Sequence, residues 1–457
     1  MEANSTDNQK TRRSLKHSVR DGGAYAVMTG AGETYFSAFA LFLKASTAQI
    51  AFLVSVPPLL ASFAQLFSAW LGHKTGKRKA IILVGATLQG FVWLPLALLP
   101  LLYPDYAIPL LTACVIFYHA FSNLASPQWA SLMGDLVHEN QRGRFFALRT
   151  KVSNITAFVA LFLAGGILHL LDKMNYTATG YVVIFSIAFL ARLVSIYHLW
   201  QMYDPPGHVA AMEMPLEQDT RQWLKGSQFI RFASFFALMQ FSVAFAAPFF
   251  SVYLLRDLEF SYFQFTACIA ANAIVQFFTL ARWGRLSDMF GNRVILITCG
   301  FLIPLSPLFW LFSTNFYFLL FTQALSGLAW AGFSLSSGNF LYDLIPARKR
   351  ATFLAAHNVV ANIGLFLGAM LAGYLAQVLP QDFSLLGMEF HLLTSLYHIF
   401  LLSFIFRALS LLWFLPKLKE VRRTRPVSMR RLIFRVARFS PLSGFIYEVI
   451  GSRKKRH

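Results

Sequence analysis

The sequence predicts an all-α polytopic membrane protein, in which twelve transmembrane helices form two pseudo-symmetric six-helix bundles. Three observations support this prediction. The 457 residues are 56% hydrophobic and only 13% charged, whereas soluble domains carry about a quarter charged residues. Apolar runs recur at the ~20-residue length that crosses ~30 Å of hydrocarbon as a helix. The two halves of the chain also share residues at constant offsets.

Twelve apolar stretches, called spans 1 to 12 below, account for the predicted helices. In chain order they are 23–43, 49–71, 80–101, 107–126, 152–171, 179–201, 230–254, 262–281, 293–313, 316–336, 356–378 and 395–415. The predicted organisation follows from their order and from the polar segments that flank them. It comprises a tail (1–22), a six-helix bundle (23–201), a cytoplasmic linker (202–229), a second bundle (230–415) and a basic tail (416–457).

Matching residues in the two halves predict that they arose by duplication. At an offset of 208 residues the matching pairs are Asp135 with Asp343, Asn154 with Asn362, Phe158 with Phe366, and Gly165 with Gly373. At an offset of 215 they are Gly76 with Gly291, Arg192 with Arg407, and Ser195 with Ser410. Chance matches among Phe and Leu are common in such a chain, but ordered matches of Asp, Asn, Arg and Gly are not. We therefore expect two parallel repeats about an axis along the membrane normal.

The distribution of basic residues predicts the orientation of the spans. If the loops alternate between two sides, 34 of the 40 Lys and Arg residues lie on the side of both termini. This is the positive-inside pattern, so both termini are predicted to be cytoplasmic in a cell membrane protein. The net charge of +20 then suits anionic lipids of the inner leaflet, and no nucleic-acid partner is needed. A predicted amphipathic helix within 428–439 would lie on that leaflet or, alternatively, bind a partner.

A polar decapeptide, GRLSDMFGNR at 284–293, separates spans 8 and 9. It fits the pattern G-x-L-x-D-x-x-G-x-R/K at the positions Gly284, Leu286, Asp288, Gly291 and Arg293. With the twelve spans and two halves, this motif resembles the major facilitator superfamily (MFS), which carries it between helices 2 and 3 and often again between 8 and 9. The resemblance covers nearly the whole chain. It implies secondary transport by alternating access between the two bundles.

The resemblance also implies a role for the motif aspartate as a gate. In the family this residue contacts the opposite half when the cytoplasmic side is shut, so Asp288 would face the start of span 5 near Arg144 and Phe145. A carboxylate at a helix N-terminus is stabilised by about 0.3–1 kcal/mol when exposed. The alternative is a turn between helices that only fixes the topology, with the glycines providing the tight bend.

The first half carries an incomplete copy of the motif, LGHKTGKRKA at 71–80. The register set by Gly76 places His73 where the motif has its aspartate. A histidine cannot replace a carboxylate at a helix N-terminus, so we expect the first-half gate to be missing. His73 would then be either a pH sensor, since the unperturbed histidine pKa is ~6.5, or a loop residue without a specific role.

Glu33 is the first candidate for binding a proton, a cation or the solute. It is the one acidic residue predicted to lie in the middle of a span, and ionisable groups inside the membrane are functional by default. The alternative is a protonated carboxyl that stabilises helix packing. Further polar candidates lie on family cavity-lining helices or their neighbours, namely Tyr35, Asn123, Gln128, Gln240, Asn272, His357, Asn358 and Asn362. As a set they predict a polar cavity, although each alone fits an interhelical hydrogen bond.

The chain is not predicted to be an enzyme. It contains no H-E-x-x-H, Walker-type or C-x-x-C motif, so no catalytic residue, metal site or cofactor is expected. The predicted function is secondary active transport of a small solute by a monomer, coupled to protons or another cation. Two alternatives remain open: a non-transporting membrane sensor or assembly protein of the same fold, and a multidrug exporter. Span 4 has no Arg and span 5 no Pro, which makes the exporter less favoured by resemblance.

Overall fold

The computed structural model describes residues 2–102, 106–138, 142–205, 227–345, 350–385 and 388–420. Within this part of the chain, eleven helices are long and apolar enough to cross a membrane. Span 1 completes the predicted set of twelve, because two helices joined by a 3-10 turn form it. The linker predicted at 202–229 lies mostly outside the described residues, and the amphipathic helix predicted within 428–439 lies entirely outside them.

Each span corresponds to one helix or to a helix with a short interruption. In chain order the first six spans are Glu2–Ala31 with Phe36–Phe42, Thr47–Thr75, Arg78–Phe91 with Trp93–Leu102, Ala107–Leu136, Arg142–Lys173 and Thr177–Trp200. The last six are Gln228–Ala244 with Phe249–Val252 and a π-helical turn Tyr253–Asp257, Tyr262–Phe290, Asn292–Leu302 with Leu305–Phe309, Phe316–Leu344, Arg350–Val378 and Leu396–Phe414. Between spans 11 and 12, Asp382–Leu385 pairs antiparallel with Met388–His391.

Several helices extend well beyond the predicted apolar stretches at the face where span 1 begins and span 12 ends, called the termini face below. Span 1 begins at residue 2 instead of 23, span 5 at 142 instead of 152, and span 8 ends at 290 instead of 281. Hydropathy reports only the part of a helix that lies in hydrocarbon. Polar sequence can continue the same helix into water, so the apolar stretches underestimated these helices.

The interruptions occur at corresponding places in the two halves. Span 1 is broken at Gly32–Tyr35, and span 7, its counterpart, leaves the α-helix between Ala244 and Phe249. A side chain on Gly32 would overlap the Trp93 ring. In span 7, Pro248 cannot donate a backbone hydrogen bond, which favours a break there. Paired interruptions support the predicted duplication of a six-helix unit.

The hydrophobic core is shared between the halves at one face and divided at the other. At the face opposite the termini, called the far face, one cluster combines residues of both halves, including Phe39 and Phe185 with Phe249 and Phe400. Towards the termini face there are two separate clusters. One contains only residues between 229 and 418, and the other only residues between 15 and 203. The halves are therefore packed together at the far face and apart at the termini face.

Charged side chains hold together the helix ends of the first half at its termini face. Arg78, at the start of span 3, is buried with 3% of its side chain exposed, and contacts Asp135 at 2.5 Å and Asp204 at 2.8 Å. These carboxylates lie at the end of span 4 and just after span 6. The sequence had suggested only a basic signal for orientation here, so the structural role of Arg78 is an addition.

The second half uses the equivalent positions with different chemistry. Asn292 begins span 9 and donates from Nδ2 to Asp343 at 3.1 Å, at the end of span 10. The backbone N–H of Arg293 donates to Glu420 at 2.8 Å, just after span 12. A carboxylate is stabilised at a helix N-terminus by the free N–H groups there. Each half thus connects its third, fourth and sixth helices at the termini face.

Two histidines form a contact between spans 1 and 6 near the termini face. The Nδ1 atoms of His17 and His198 lie 3.0 Å apart. Such a contact requires one ring nitrogen to donate and the other to accept, so at least one ring is neutral. Burial, followed by the charges of His198 and Arg13, lowers the pKa of His17 below its usual 6.5.

We expect Arg78→Gln to destabilise the first half, because it removes the buried cation that contacts Asp135 and Asp204. Breaking a buried ion pair costs about 3–5 kcal/mol, and we expect less here because Asp135 is 38% exposed. The measurement is the thermal unfolding midpoint of the purified protein. Lys77→Gln is the control, since Lys77 is exposed and makes no side-chain cap; an equal effect of both changes would contradict the assignment.

Acidification should also destabilise the protein through His17. The lowered pKa means that the unfolded chain binds more protons than the folded one below about pH 6.5, so stability falls as the pH drops through that range. The unfolding midpoint should therefore decrease between pH 7.5 and 5.5, and His17→Gln should reduce this decrease. The exposed His138 provides the control, and an unchanged pH dependence in His17→Gln would refute the prediction.

Candidate functional site

Two glycines allow the halves to approach closely at the far face. Gly165 of span 5 lies against Thr266 of span 8, and an added Cβ would overlap the Thr266 side chain. Gly373 of span 11 lies against span 2, where an added Cβ would be 2.8 Å from Ala51 Cβ and 3.2 Å from Ala48 Cα. These glycines are the pair that matches at the offset of 208 residues. The repeated position therefore has a physical reason, which is the contact between halves.

Hydrogen bonds reinforce the contact at the far face. The Tyr35 hydroxyl lies 2.9 Å from Thr266 Oγ1 across the halves and donates to the Leu161 carbonyl at 2.7 Å. Arg256 donates to Thr47 Oγ1 at 3.2 Å, also across the halves. Tyr35 is fully buried. Its side chain therefore lies within the closed face and does not line an open cavity in this conformation.

A cleft of about 550 Å³ lies between the halves on the termini side of this contact. On span 5, which runs towards the far face, its lining residues 154–161 precede Gly165. On span 8, which runs the opposite way, its lining residues 269–280 follow Thr266. Thr29, Gly30 and Thr34 of span 1 and Ser334 of span 10 complete the lining. Spans 5 and 8 are thus in contact at the far face and separate towards the termini face.

Glu33 lies at the interruption of span 1 and is half-buried. The Tyr118 hydroxyl of span 4 donates to Glu33 Oε2 at 2.8 Å. The His119 ring lies beside Tyr118, with ring centroids 5.2 Å apart. A carboxylate held by one hydrogen bond and partly open can accept a proton or bind a cation. This placement is compatible with the predicted role, which stays a prediction.

A second charged group lies deeper in the first half. Asp21 of span 1 is buried, accepts from Arg149 of span 5 at 3.3 Å and accepts from Ser195 of span 6 at 2.7 Å. Arg192 in turn donates to Ser195 at 2.9 Å. These four side chains, called the Asp21 network below, connect three helices of one bundle. Arg192 is 4% exposed, so it does not extend to the membrane surface.

The Asp21 network borders a cavity of about 210 Å³, called the first-half pocket below. Its lining residues are Asp21, Tyr25, Ile82, Ser122, Ala125, Ser126, Trp129, Arg149, Arg192 and Leu199. The guanidinium of Arg149 lies 4.3 Å from the Trp129 ring centroid, and that of Arg192 lies 5.0 Å from the Tyr25 ring centroid. Cations over aromatic faces are attracted by the ring quadrupole. The pocket therefore has two arginines in fixed positions.

The polar residues predicted from the sequence do not meet in one cavity. Gln128 donates to the Ser68 carbonyl at 2.7 Å and joins spans 2 and 4. Asn272 donates to the Gln323 carbonyl at 3.3 Å and joins spans 8 and 10. His357 is 5% exposed and packs among Phe rings of span 7. The contacts of Gln128 and Asn272 are therefore interhelical hydrogen bonds, which was the alternative interpretation.

The remaining candidates lie at different levels and surfaces. Asn123 donates to a carbonyl of its own helix, at His119, and Gln240 is half-buried on span 7. Asn358 is exposed, whereas Asn362 donates to the Pro58 carbonyl at 3.3 Å across the halves. Of the predicted set, Tyr35 and Asn362 therefore make described hydrogen bonds between the halves, and Glu33 bonds to a tyrosine of its own half.

The decapeptide at 284–293 is helical over most of its length, so the predicted end of span 8 at 281 was wrong. Span 8 continues to Phe290, and the turn is confined to Gly291, which has φ +92°. Gly284 lies within the helix, and Leu286 is buried in the second-half cluster. Asp288 is exposed in the last turn. The side chain of Arg144, its predicted neighbour, is outside the described part of the chain, so the gate contact stays a prediction.

The incomplete copy is also mostly helical. His73 is exposed in the last turn of span 2, which continues to Thr75, so it is not a loop residue. Gly76 adopts the left-handed conformation with φ +64° and ends the helix. Glycine is favoured there because it has no side chain. The turn-forming role predicted for the glycines thus holds for Gly76 and Gly291 but not for Gly284.

Asp21 and Arg149 are the functional candidates that the sequence did not identify. Both were assigned to aqueous segments because the apolar stretches begin at 23 and 152. A usable signal was the pair Gly22–Gly23, since Gly22 packs against Ser153 and Arg149, and Gly23 against span 5. Small residues at successive positions indicate close helix packing. Such packing at this level would have placed Asp21 inside the bundle.

Comparison with known proteins supports the same fold. The chain is similar to the Vacuolar basic amino acid transporter 2 of Saccharomyces cerevisiae, at 33% identity over 94 residues, which covers 21% of this chain and 20% of that protein. It is also similar to the Multidrug resistance protein fnx1 of Schizosaccharomyces pombe, at 32% identity over 95 residues, covering 21% and 18%. The matched segment is thus about a fifth of the length of these relatives.

Solved structures have a similar fold over most of the length of this chain. A crystal structure of the nucleoside transporter NupG has a TM-score of 0.66 at 13% identity, covering 89% of this chain and 100% of that chain. A bacterial homologue of the iron transporter ferroportin in the inward-facing state has a TM-score of 0.64 at 12% identity, covering 94% and 99%. The family model of the Major Facilitator Superfamily matches twice, over residues 23–246 and 230–452. This chain therefore belongs to the Major Facilitator Superfamily.

Proposed function

We propose that this protein is a secondary transporter that moves a small solute by alternating access. The observation that carries the proposal is the unequal packing of the two halves. They share one hydrophobic cluster at the far face and have separate clusters at the termini face. Two bundles that meet at one face around a cleft can expose that cleft to either side by a change of tilt.

With both termini in the cytoplasm, as the basic residues predict, the structure corresponds to an inward-facing state. The far face is then the outer gate, formed by Gly165, Gly373 and Tyr35. In the opposite state the termini face closes, and Asp288 contacts the start of span 5. The similar fold of the ferroportin homologue in its inward-facing state supports this assignment of the conformation. The similarity does not extend to the substrate of that protein.

Glu33 serves in this proposal as the coupling or solute-binding carboxylate. It lies at the break in span 1, and interrupted helices near the midplane are typical of substrate and ion sites in transporters. Tyr118 orients one carboxylate oxygen, which leaves the other oxygen for a proton, a cation or an ammonium group. The vacuolar basic amino acid relative favours cationic or zwitterionic solutes, although its match covers a short segment.

Drug export is the second candidate, and the cleft favours it. Most of its lining is apolar, from Ile155 and Phe158 on span 5 to Ile269 and Phe277 on span 8. Its ~550 Å³ lies within the ~300–1,000 Å³ of sites for drug-sized ligands. Phe278, which also lines it, is 69% exposed, so the cleft reaches the outer surface of the bundle. An apolar solute could enter there.

We expect Glu33→Gln to abolish uptake driven by a proton gradient while leaving the fold intact, because the amide keeps the shape of the side chain but cannot ionise. The measurement is uptake of radiolabelled amino acids, organic acids and lipophilic cations into proteoliposomes, with and without the gradient. Tyr118→Phe is the matched variant. It removes only the hydrogen bond, and should reduce the rate less than Glu33→Gln.

The panel separates the two candidates as well. Uptake of polar solutes that depends on Glu33 supports the first, whereas export restricted to lipophilic cations supports the second. If no solute is moved in either direction by the wild-type protein, the transport proposal fails and the sensor alternative gains support.

We expect Gly373→Leu to shift the protein away from the described conformation, because the side chain cannot fit against Ala48 and Ala51. The distance between spin labels at Leu148 on span 5 and Met289 on span 8, measured by electron–electron double resonance, should then shorten as the termini face closes. Gly165→Leu should act in the same direction.

Gly166→Leu provides the control for this experiment. It neighbours Gly165, but a Cβ added there has no described atom within 4 Å, so the distance should not change. An unchanged distance in both Gly165→Leu and Gly373→Leu would show that the glycine contacts do not determine the conformation.

A further inference from the structure

The first-half pocket has a net positive charge, and one of its lining arginines, Arg192, has a buried nitrogen without a described partner. We propose that it binds the carboxylate group of a small organic anion, held by Arg192 and Arg149. This inference extends the proposed function by naming the chemical class of one ligand. It concerns a site within the first bundle, separate from the cleft between the halves.

The pocket carries a net positive charge. Its charged lining residues are Asp21, Arg149 and Arg192, which leaves one positive charge in excess. Asp21 accepts from Arg149 and from Ser195, so its oxygens already have donors. A charge without a counter-ion inside a membrane protein is costly, and a bound anion would neutralise it.

The hydrogen bonding of Arg192 also favours an anionic ligand. Arg192 is 4% exposed and donates from one terminal nitrogen to Ser195, while its Nε has no partner in the described part of the chain. A buried donor without an acceptor costs about 1–3 kcal/mol. Arginine presents a planar fork of N–H groups that matches the two oxygens of a carboxylate. The Arg192 guanidinium therefore fits a carboxylate better than a neutral group.

The shape of the pocket limits the size of the ligand. Its ~210 Å³ is below the ~300–1,000 Å³ of sites for drug-sized molecules, so a short carbon skeleton fits. Ser122 and Ser126 on span 4 can supply additional hydrogen bonds, and the rings of Tyr25 and Trp129 supply apolar walls. These surroundings favour a small aliphatic monocarboxylate over a bulky anion.

The pocket is accessible in the described conformation. Ser126 is exposed although it lines the pocket, and 21% of the Arg149 side chain is exposed. Phe117 of span 4 is 54% exposed. Ser126 lies nine residues later, and nine residues rotate a helix by about 180°. Ser126 is therefore exposed on the opposite side of span 4. An anion can therefore reach the two arginines past Ser126.

The second half provides an internal comparison. Arg407 matches Arg192 at the offset of 215 residues and is buried too, but it donates to the carbonyls of Ile303 and Val243. It lines neither of the two cavities described above. Two backbone carbonyls accept from the terminal nitrogens of Arg407, while its Nε, like that of Arg192, has no partner in the described part of the chain. Arg192 has one described acceptor, the Ser195 hydroxyl, and borders a cavity, so the two arginines differ in the acceptors of their terminal nitrogens and in their access to a ligand.

The test measures thermal unfolding of the full chain in lipid nanodiscs with four monocarboxylates: acetate, propionate, butyrate and lactate. Butyramide and sodium chloride at equal ionic strength serve as neutral and inorganic comparisons. We expect at least one carboxylate to raise the unfolding midpoint in a saturable way, and both comparisons to have no such effect. Arg192→Gln should weaken the apparent affinity at least tenfold, while Arg407→Gln should leave it unchanged.

Opposite results overturn the proposal. It fails if none of the four carboxylates stabilises the protein, if chloride stabilises it as well as they do, or if Arg407→Gln acts like Arg192→Gln. If Arg192→Gln does not fold, Ser126→Phe replaces it, because this change fills the pocket without altering the Asp21 network. Binding that persists in Ser126→Phe would place the carboxylate elsewhere.

Transport measured in parallel separates this inference from the proposed function. Uptake that depends on Glu33 but not on Arg192 or Ser126 would leave the transporter proposal intact and remove the carboxylate site as a solute site. Carboxylate binding that depends on Arg192, in a protein that transports none of the tested solutes, would retain the site and reject transport.

Discussion

Close approach of the two halves at the far face is the constraint on which the rest of the structure depends. Gly165 and Gly373 leave no room for a side chain, so the helices that carry them lie against the other half. Around these contacts, aromatic and aliphatic side chains from both halves form one core. In a membrane, lipid tails are as apolar as Leu, so helices associate through close packing and hydrogen bonds. Glycine contacts and the Tyr35–Thr266 bond provide both.

The polar groups of the first half form a sequence of contacts along spans 1 and 4. Glu33 bonds to Tyr118, and one turn further along span 4 the Tyr25 hydroxyl lies 3.3 Å from Ser122 Oγ. Arg192 then stacks over Tyr25 and connects to Asp21 through Ser195. The second half has Phe229 and Phe236 at the positions that correspond to Asp21. Within the described residues, the two halves therefore share a fold, while this ionic network occurs in the first half.

The fold could be predicted from the sequence because its signals are long and repeated. Runs of apolar residues located twelve helices, and paired residues such as Gly165 and Gly373 identified the duplication. Helix ends on the termini face were missed, since hydropathy does not report a helix that continues into water. Arg78 illustrates the consequence, because its basic charge was visible but its two carboxylate partners lie 57 and 126 residues away.

The site was less predictable than the fold for a related reason. Glu33 was a candidate because one acid in an apolar stretch is conspicuous, whereas Asp21 was hidden in a polar sequence. Polar residues such as Gln128 and Asn272 could not be sorted from sequence, because a cavity-lining amide and one that bonds to a neighbouring helix have the same periodicity. Only the partner atom, a backbone carbonyl in both cases, distinguishes them.

The ion pairs and hydrogen bonds at the starts of spans 3 and 9 have a mechanical consequence. In each half they fix the third, fourth and sixth helices to one another, so those helix ends move together. Span 8 extends about 36 Å from Thr266 to Phe290, at about 1.5 Å per residue. A tilt of one half by about 10° around the glycine contacts would then displace the far end of the helix by about 6 Å. A small rotation at a tightly packed pivot would thus be amplified into a large displacement at the termini face.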